Sequence, residues 1–214
     1  MRHAFAKLLV LSLALALGQG AFAQSPQAID RVEEDWELVV GMPDLVSAGP
    51  QLTTTMSPEG DNSKSFVAFN LNYRDLPFRQ GGLQLTAWSG QTNLGISDGN
   101  RTLPLAIPYE RITWTQRLSV SAGQATLEIK NGHSWTWGNF GQGESFSLSF
   151  STNVTDLSSY DPDKSAQYSG AGWQSNRVKK MTLVQVRYYS ADTLVKTDTD
   201  PRVVESSGGS GDNP

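Results

Sequence analysis

The sequence predicts an all-β protein, an antiparallel two-sheet β-sandwich, on three observations. Apolar residues alternate with polar ones at period 2 from Trp36 to about Val195. Dipeptides that favour tight hairpin turns punctuate the alternation. No window longer than two turns carries a convincing helical period. About ten to twelve short strands at this spacing, each with one apolar face, fit a sandwich or a barrel.

Taken in order, residues 1–23 read as a secretory signal. Arg2, His3 and Lys7 make a basic start, Leu8 to Leu17 a short apolar run, and Ala21-Phe22-Ala23 a small-residue cleavage pattern. The apolar run falls short of the roughly 20 residues that span a bilayer. Cleavage is therefore expected near Ala23, delivering the protein to the periplasm or the exterior. Residues 24–32 read as a lead-in, 33–205 as a single β-sandwich domain and 206–214 as a flexible polar tail.

Trp36, Leu38 and Val40 mark the first strand, then Val67, Phe69, Leu71 and Tyr73 the next clear one. Leu83, Leu85 and Ala87 share a face opposite Gln84, Thr86 and Trp88. From Glu110 to Val120, Ile112, Trp114, Leu118 and Val120 oppose Arg111, Thr113, Thr115, Arg117 and Ser119. Ala125, Leu127 and Ile129, then Phe146, Leu148 and Phe150, then Val184, Val186 and Tyr188 continue the pattern. Asp98-Gly99 and Asn131-Gly132 have the composition of hairpin turns, and Ser121-Ala122-Gly123-Gln124 reads as a third connection. Asp161-Pro162-Asp163 and Gly170-Ala171-Gly172 mark a longer loop region. Trp36, Trp88, Trp114 and Trp173 do not pair into girdles at strand ends, which favours the soluble sandwich over a membrane barrel.

Composition narrows function. Removing Arg2 and Lys7 with the signal leaves 15 basic residues against 21 acidic ones, a net charge of −6. No basic run exists, so nucleic acid is not an expected partner, and no second apolar stretch suggests membrane insertion after cleavage. The chain has no cysteine, which removes disulfides, thiol catalysis and thiolate metal sites. Only His133 survives signal removal, so a multi-histidine metal site is excluded. No cofactor is expected. Asp61, Asn62, Asp98, Asn100, Asp161 and Asp163 carry oxygen ligands of the kind calcium takes, without the spacing of an EF-hand loop.

Several residues stand out as candidate sites. Trp88 lies on the polar face of its strand, where an indole needs a reason to be. Trp173 sits in a glycine-rich stretch beside Gln174, Asn176 and Arg177, the composition of a polar binding loop. Arg111 and Arg117 form a stripe that suits an acidic sugar's carboxylate, although a solvated strand face is the commoner use of such a stripe. Trp88, Arg111, Arg117, Trp173 and Asn176 are therefore the expected ligand contacts. In Asn131 to Gly141, Trp135 and Trp137 share a strand face with His133; filling the core is the favoured expectation over a sugar platform. Glu33, Asp35 and Glu37 have the E-x-D-x-E spacing that sandwich glycosidases use, but they open the domain and flank Glu34 and Trp36, which favours coincidence.

Strand spacing, domain length and the lack of cysteine resemble the concanavalin-A-like jelly-roll superfamily, which includes laminin-G-like modules and sugar-active enzymes. Gly81-Gly82-Leu83-Gln84, Ile112-Thr113-Trp114-Thr115 and Ser134-Trp135-Thr136-Trp137-Gly138 resemble uncharacterised secreted bacterial proteins. The segment from Tyr168 to Gln174 is similar to the Tyr-x-x-Ala-Gly segment of jelly-roll alginate lyases, yet the lyase Gln-x-His and Arg-x-Glu-Leu motifs are absent. The surplus of tryptophan beside glycine and asparagine, with no catalytic constellation, favours a non-catalytic module that binds polysaccharide or cell-surface glycan, or a surface-associated structural module. A polysaccharide lyase or glycosidase is the alternative, with His133, Tyr168 and Arg177 as its catalytic trio.

Overall fold

A computed structural model describes residues 27–42, 50–75, 79–99, 103–105, 107–141, 146–173 and 177–206. The first strand, β1 (Arg31–Val40), shows the rule that builds the rest. Val32, Glu34, Trp36, Leu38 and Val40 are buried, and the intervening residues are half-buried. It is followed by β2 (Gln51–Met56), β3 (Ser65–Asp75), β4 (Arg79–Ser89), β5 (Thr92–Gly99), β6 (Arg111–Ser121) and β7 (Gln124–Ser134). Then come β8 (Gly138–Phe140), β9 (Ser147–Ser151), a helix α1 (Pro162–Tyr168), β10 (Gly170–Trp173), β11 (Val178–Ser190), β12 (Thr193–Asp198) and β13 (Arg202–Ser206).

The strands pair antiparallel into two sheets packed as a sandwich, as the alternation predicts. The larger has the order β12-β11-β1-β6-β7-β8, with β13 also on β11 and β9 also on β7. The smaller has the order β10-β2-β3-β4-β5. One apolar core lies between them, with Leu52, Phe69, Leu71 and Leu85 from the smaller sheet facing Trp36, Leu38, Trp114 and Leu127 from the larger. Each such side chain contributes about 1.5–3 kcal/mol on burial. Trp36 and Trp114, register partners on β1 and β6, lie parallel with ring centroids 6.1 Å apart. Phe69 bridges the layers, edge-on to Trp114 at 5.9 Å. One buried hydrogen bond also crosses the gap, from Thr54 Oγ1 on β2 to Gln116 Oε1 on β6 at 2.5 Å.

Connections depart from expectation in instructive places. Ser121 to Gln124 is a hairpin, with Ala122 and Gly123 at φ 50° and 77° as a two-residue turn of this kind requires. Asn131-Gly132 is not a turn. It lies inside β7, where the register slips by one residue against β6 and Asn131 takes φ 52°, so the pair forms a bulge. Asp98-Gly99 is likewise in strand, paired with Gln84 and Leu83 of β4; the β4–β5 turn falls at Gly90-Gln91. The stretch after Asp161 folds into α1, with Asp161 as N-cap accepting from Asp163 N and Pro162 at its start. The strand β1 starts at Arg31, inside the stretch expected as a lead-in, and Ile29 packs on the core. Residues 1–23, read as a signal, and residues 207–214, read as a tail, lie outside the described residues. No helix among the described residues is long and apolar enough to cross a membrane.

Candidate functional site

Period-2 alternation on β3 and β4 turns Val67, Phe69, Leu71, Leu83, Leu85 and Ala87 into the core, so their neighbours face outward. Trp88 is therefore on the outer face of the smaller sheet. It is half-buried because Phe66, its register partner on β3, stacks against it at 6.4 Å and 15° between ring planes. Four residues further along the same face, a polar ladder crosses the sheet. Thr53 Oγ1 donates to Asn70 Oδ1 at 2.7 Å, Asn70 Nδ2 to Gln84 Oε1 at 3.3 Å, and Gln84 Nε2 to Asp98 Oδ1 at 2.9 Å. Between these two rows runs a third, Thr55–Ala68–Thr86–Ile96. Its first three members are small and buried, whereas Ile96 is 55 % exposed at the edge.

The result is a recessed strip with an aromatic wall on one side and amide groups ending in a carboxylate on the other. Strand geometry makes it about 13 Å from wall to wall and about 14 Å across the four strands. No lysine or arginine occupies an outward position in these three rows. Such a surface offers stacking to an apolar ring face and hydrogen bonds to hydroxyl groups.

The outer face of the larger sheet is different in kind. Glu33, Asp35 and Glu37 share it, as their spacing requires, but their oxygens are occupied. Arg187 Nη1 donates to Asp35 Oδ2 at 2.6 Å and Nη2 to Glu33 Oε2 at 3.2 Å. Gln185 Nε2 and Thr115 Oγ1 also donate to Asp35, at 2.6 and 2.7 Å. Burial alone would raise the Asp35 carboxyl, but hydrogen bonds from Arg187, Gln185 and Thr115 outweigh it and hold it below the ordinary 3.8. The proposed sugar-gripping arginines are matched here too, with Arg111 Nε on Glu37 Oε2 at 2.8 Å and Arg117 Nε 3.4 Å from Glu128 Oε2. They stand on the far side of the sandwich from Trp88.

The remaining candidates are scattered. His133 is exposed on the larger sheet, its Nδ1 3.0 Å from Asn139 Oδ1. Tyr168 ends α1, which packs on β2 of the smaller sheet, and is half exposed. Arg177 is buried at the start of β11. Trp173 takes a register position opposite Gln51 on the edge strand β10; its side chain lies outside the described part, and Asn176 lies outside the described residues altogether. The core expectation for the tryptophan pair fails at Trp135, which is 68 % exposed in the β7–β8 turn. The half-buried Trp137 packs on Phe140 at 5.8 Å, with its indole N–H on Leu103 O at 2.7 Å.

Among the described residues no three His, Asp or Glu side chains gather where a metal would bind. Of the residues read as carrying oxygen ligands for calcium, Asn100 lies outside the described residues, Asn62 holds Thr55 Oγ1 through its Nδ2 at 3.3 Å, and the aspartates hold other partners. Asp61 accepts from Ser63 N at 2.9 Å, Asp161 caps α1, and Asp163 pairs with Arg202. An open cleft of about 670 Å³ lies at the hairpin end, where Lys64 and Glu59 pair at 3.6 Å and Asp156 accepts from Ser158 N at 2.8 Å.

The residues that sequence reasoning missed are Phe66 and the ladder Thr53, Asn70, Gln84 and Asp98. Phe66 was readable, since it alternates against Val67, Phe69 and Leu71. The ladder was not, because assigning Asp98 to a turn removed its strand from the sheet. No protein-family model matches the chain, and no curated protein matches it significantly.

Proposed function

We propose that this chain is an exported, non-catalytic β-sandwich, released from residues 1–23, that binds uncharged carbohydrate on the outer face of its smaller sheet. The observation that carries the reading is the half-buried Trp88–Phe66 pair facing the Thr53–Asn70–Gln84–Asp98 ladder across a recessed strip. A sugar ring has an apolar C–H face and a hydroxyl-bearing edge, and the two walls complement these in turn. Amide and carboxylate groups accept and donate to hydroxyls without needing a ligand charge. The absence of a cation in the three rows disfavours uronic acids, and Arg111 and Arg117 already neutralise Glu37 and Glu128.

The test is affinity electrophoresis in gels containing neutral polysaccharides (glucans, mannans, xylans) and, in parallel, alginate and pectate. Retardation by at least one neutral polymer is expected. Trp88→Ala should weaken it by about tenfold or more, from lost stacking and burial, while Arg111→Ala and Arg117→Ala leave it unchanged. Wild-type mobility in every neutral gel, or a folded Trp88→Ala variant that is retarded like the wild type, would end the proposal.

A further inference from the structure

Five large apolar side chains stand exposed at one end of the sandwich. They are Met42 after β1, Leu103, Ile107 and Tyr109 between β5 and β6, and Trp135 between β7 and β8. Strand register brings them together, since β1 ends opposite the start of β6 (Val39 with Arg111), and the same end of β6 meets the end of β7 (Thr113 with His133). Hydrogen bonds then tie the segments to one another. Tyr109 N donates to Val40 O at 3.1 Å, and Trp137 Nε1 to Leu103 O at 2.7 Å. The buried Glu110 carboxylate accepts from Thr136 N at 2.7 Å and Thr136 Oγ1 at 2.6 Å.

We propose that this end docks on the surface of a lipid bilayer, with Trp135 and Tyr109 seated at headgroup level and Met42, Leu103 and Ile107 beside them. Isolated exposed apolar residues are ordinary, but five at one end make a patch that calls for a partner. Indole and phenol rings favour the boundary between water and acyl chains, where one edge is wet and the body is not.

The turn that carries Trp135 is prepared for a medium poor in water. Thr136 N and Oγ1 are taken by Glu110, Trp137 N by Ser134 Oγ at 2.8 Å, and Trp137 Nε1 by Leu103 O. Donors satisfied inside the protein lose nothing when water leaves, whereas unsatisfied ones resist burial in an apolar phase. Charge agrees. Lys179 and Lys180 are exposed at the start of β11, where it pairs with the end of β1. These cations lie just behind the apolar end, where anionic headgroups would meet them, although the chain as a whole is acidic. The contact is interfacial, made by side chains at one end of the sandwich whose apolar core lies between its two sheets.

Flotation of the purified protein with phosphatidylcholine vesicles, with and without phosphatidylglycerol, tests the proposal. Binding to the mixed vesicles is expected, with tryptophan emission shifted to the blue and quenched by brominated acyl chains. Trp135→Ala should weaken binding by about tenfold or more, and Trp88→Ala should not change it. Both variants are checked for fold by circular dichroism, and Trp135→Phe should retain most binding while losing much of the quenching. Failure to float with either vesicle overturns the proposal. So does a dimer in sedimentation that Trp135→Ala dissolves, which would assign this end to a second copy of the chain.

Discussion

Glu34 is fully buried between β1 and the segment leading into α1, with Trp36 Nε1 on its Oε2 at 2.9 Å and the Tyr160 hydroxyl on its Oε1. Burial pushes its carboxyl up to about 7, against the pull of hydrogen bonds from Tyr160, Ser165 and Trp36 and the charge of Arg202. The folded protein therefore keeps a proton that the unfolded chain releases near 4.5. The stabilisation is complete below that pH and is lost as pH rises to about 7, a change of roughly 3 kcal/mol. Asp35, held below its ordinary value, acts in the opposite sense: its contribution is present above 3.8 and lost as pH falls through the folded value. Thermal unfolding at pH 5 and pH 8 should show a wild-type midpoint that drops at the higher pH and a Glu34→Gln midpoint that drops much less. Equal drops in the two proteins would mean that Glu34 is ionised inside the fold.

At the scale of elements, close approach explains what pattern alone misreads. Asn131-Gly132 carries a turn composition, yet it forms a bulge because β7 must pair with β6 on one edge and with β8 and β9 on the other. A Cβ on Gly132 would sit 2.2 Å from the Phe140 ring, which packs across the β7–β8 hairpin. Gly132→Ala should cost about 1–3 kcal/mol by overpacking, read as a lower denaturation midpoint in urea with an unchanged slope. No loss would mean that the ring moves aside freely. Asp161-Pro162, a cap followed by a helix-starting proline, reads as loop in the sequence, because the two turns of α1 are too short for periodicity to reveal. The hairpin at Ala191-Asp192, with φ 45° and 66°, has no glycine to announce it.

At the scale of the molecule, the two sheets stand or fall together. Phe69, from the smaller sheet, lies 5.9 Å from both Trp114 on the larger sheet and Phe146 beside it. Phe69→Ala should cost about 3–5 kcal/mol and leave a single unfolding transition, followed by both tryptophan fluorescence and far-ultraviolet circular dichroism. Two separated transitions would show that the sheets unfold independently. The all-β class, the inward rows of β1, β3, β4 and β6, and the outward placement of Trp88 were determined by the sequence alone, because side chains alternate along any strand whatever its neighbours. Which strands neighbour one another was not, since pairing depends on contacts distant in the chain. Tertiary structure alone therefore decided that Phe66 meets Trp88, that Thr53, Asn70, Gln84 and Asp98 align, and that Arg111 and Arg117 find Glu37 and Glu128 on neighbouring strands of their own sheet. It also decided that Trp135 leaves the core, because the β7–β8 hairpin turns there and only Trp137 can reach back to Phe140.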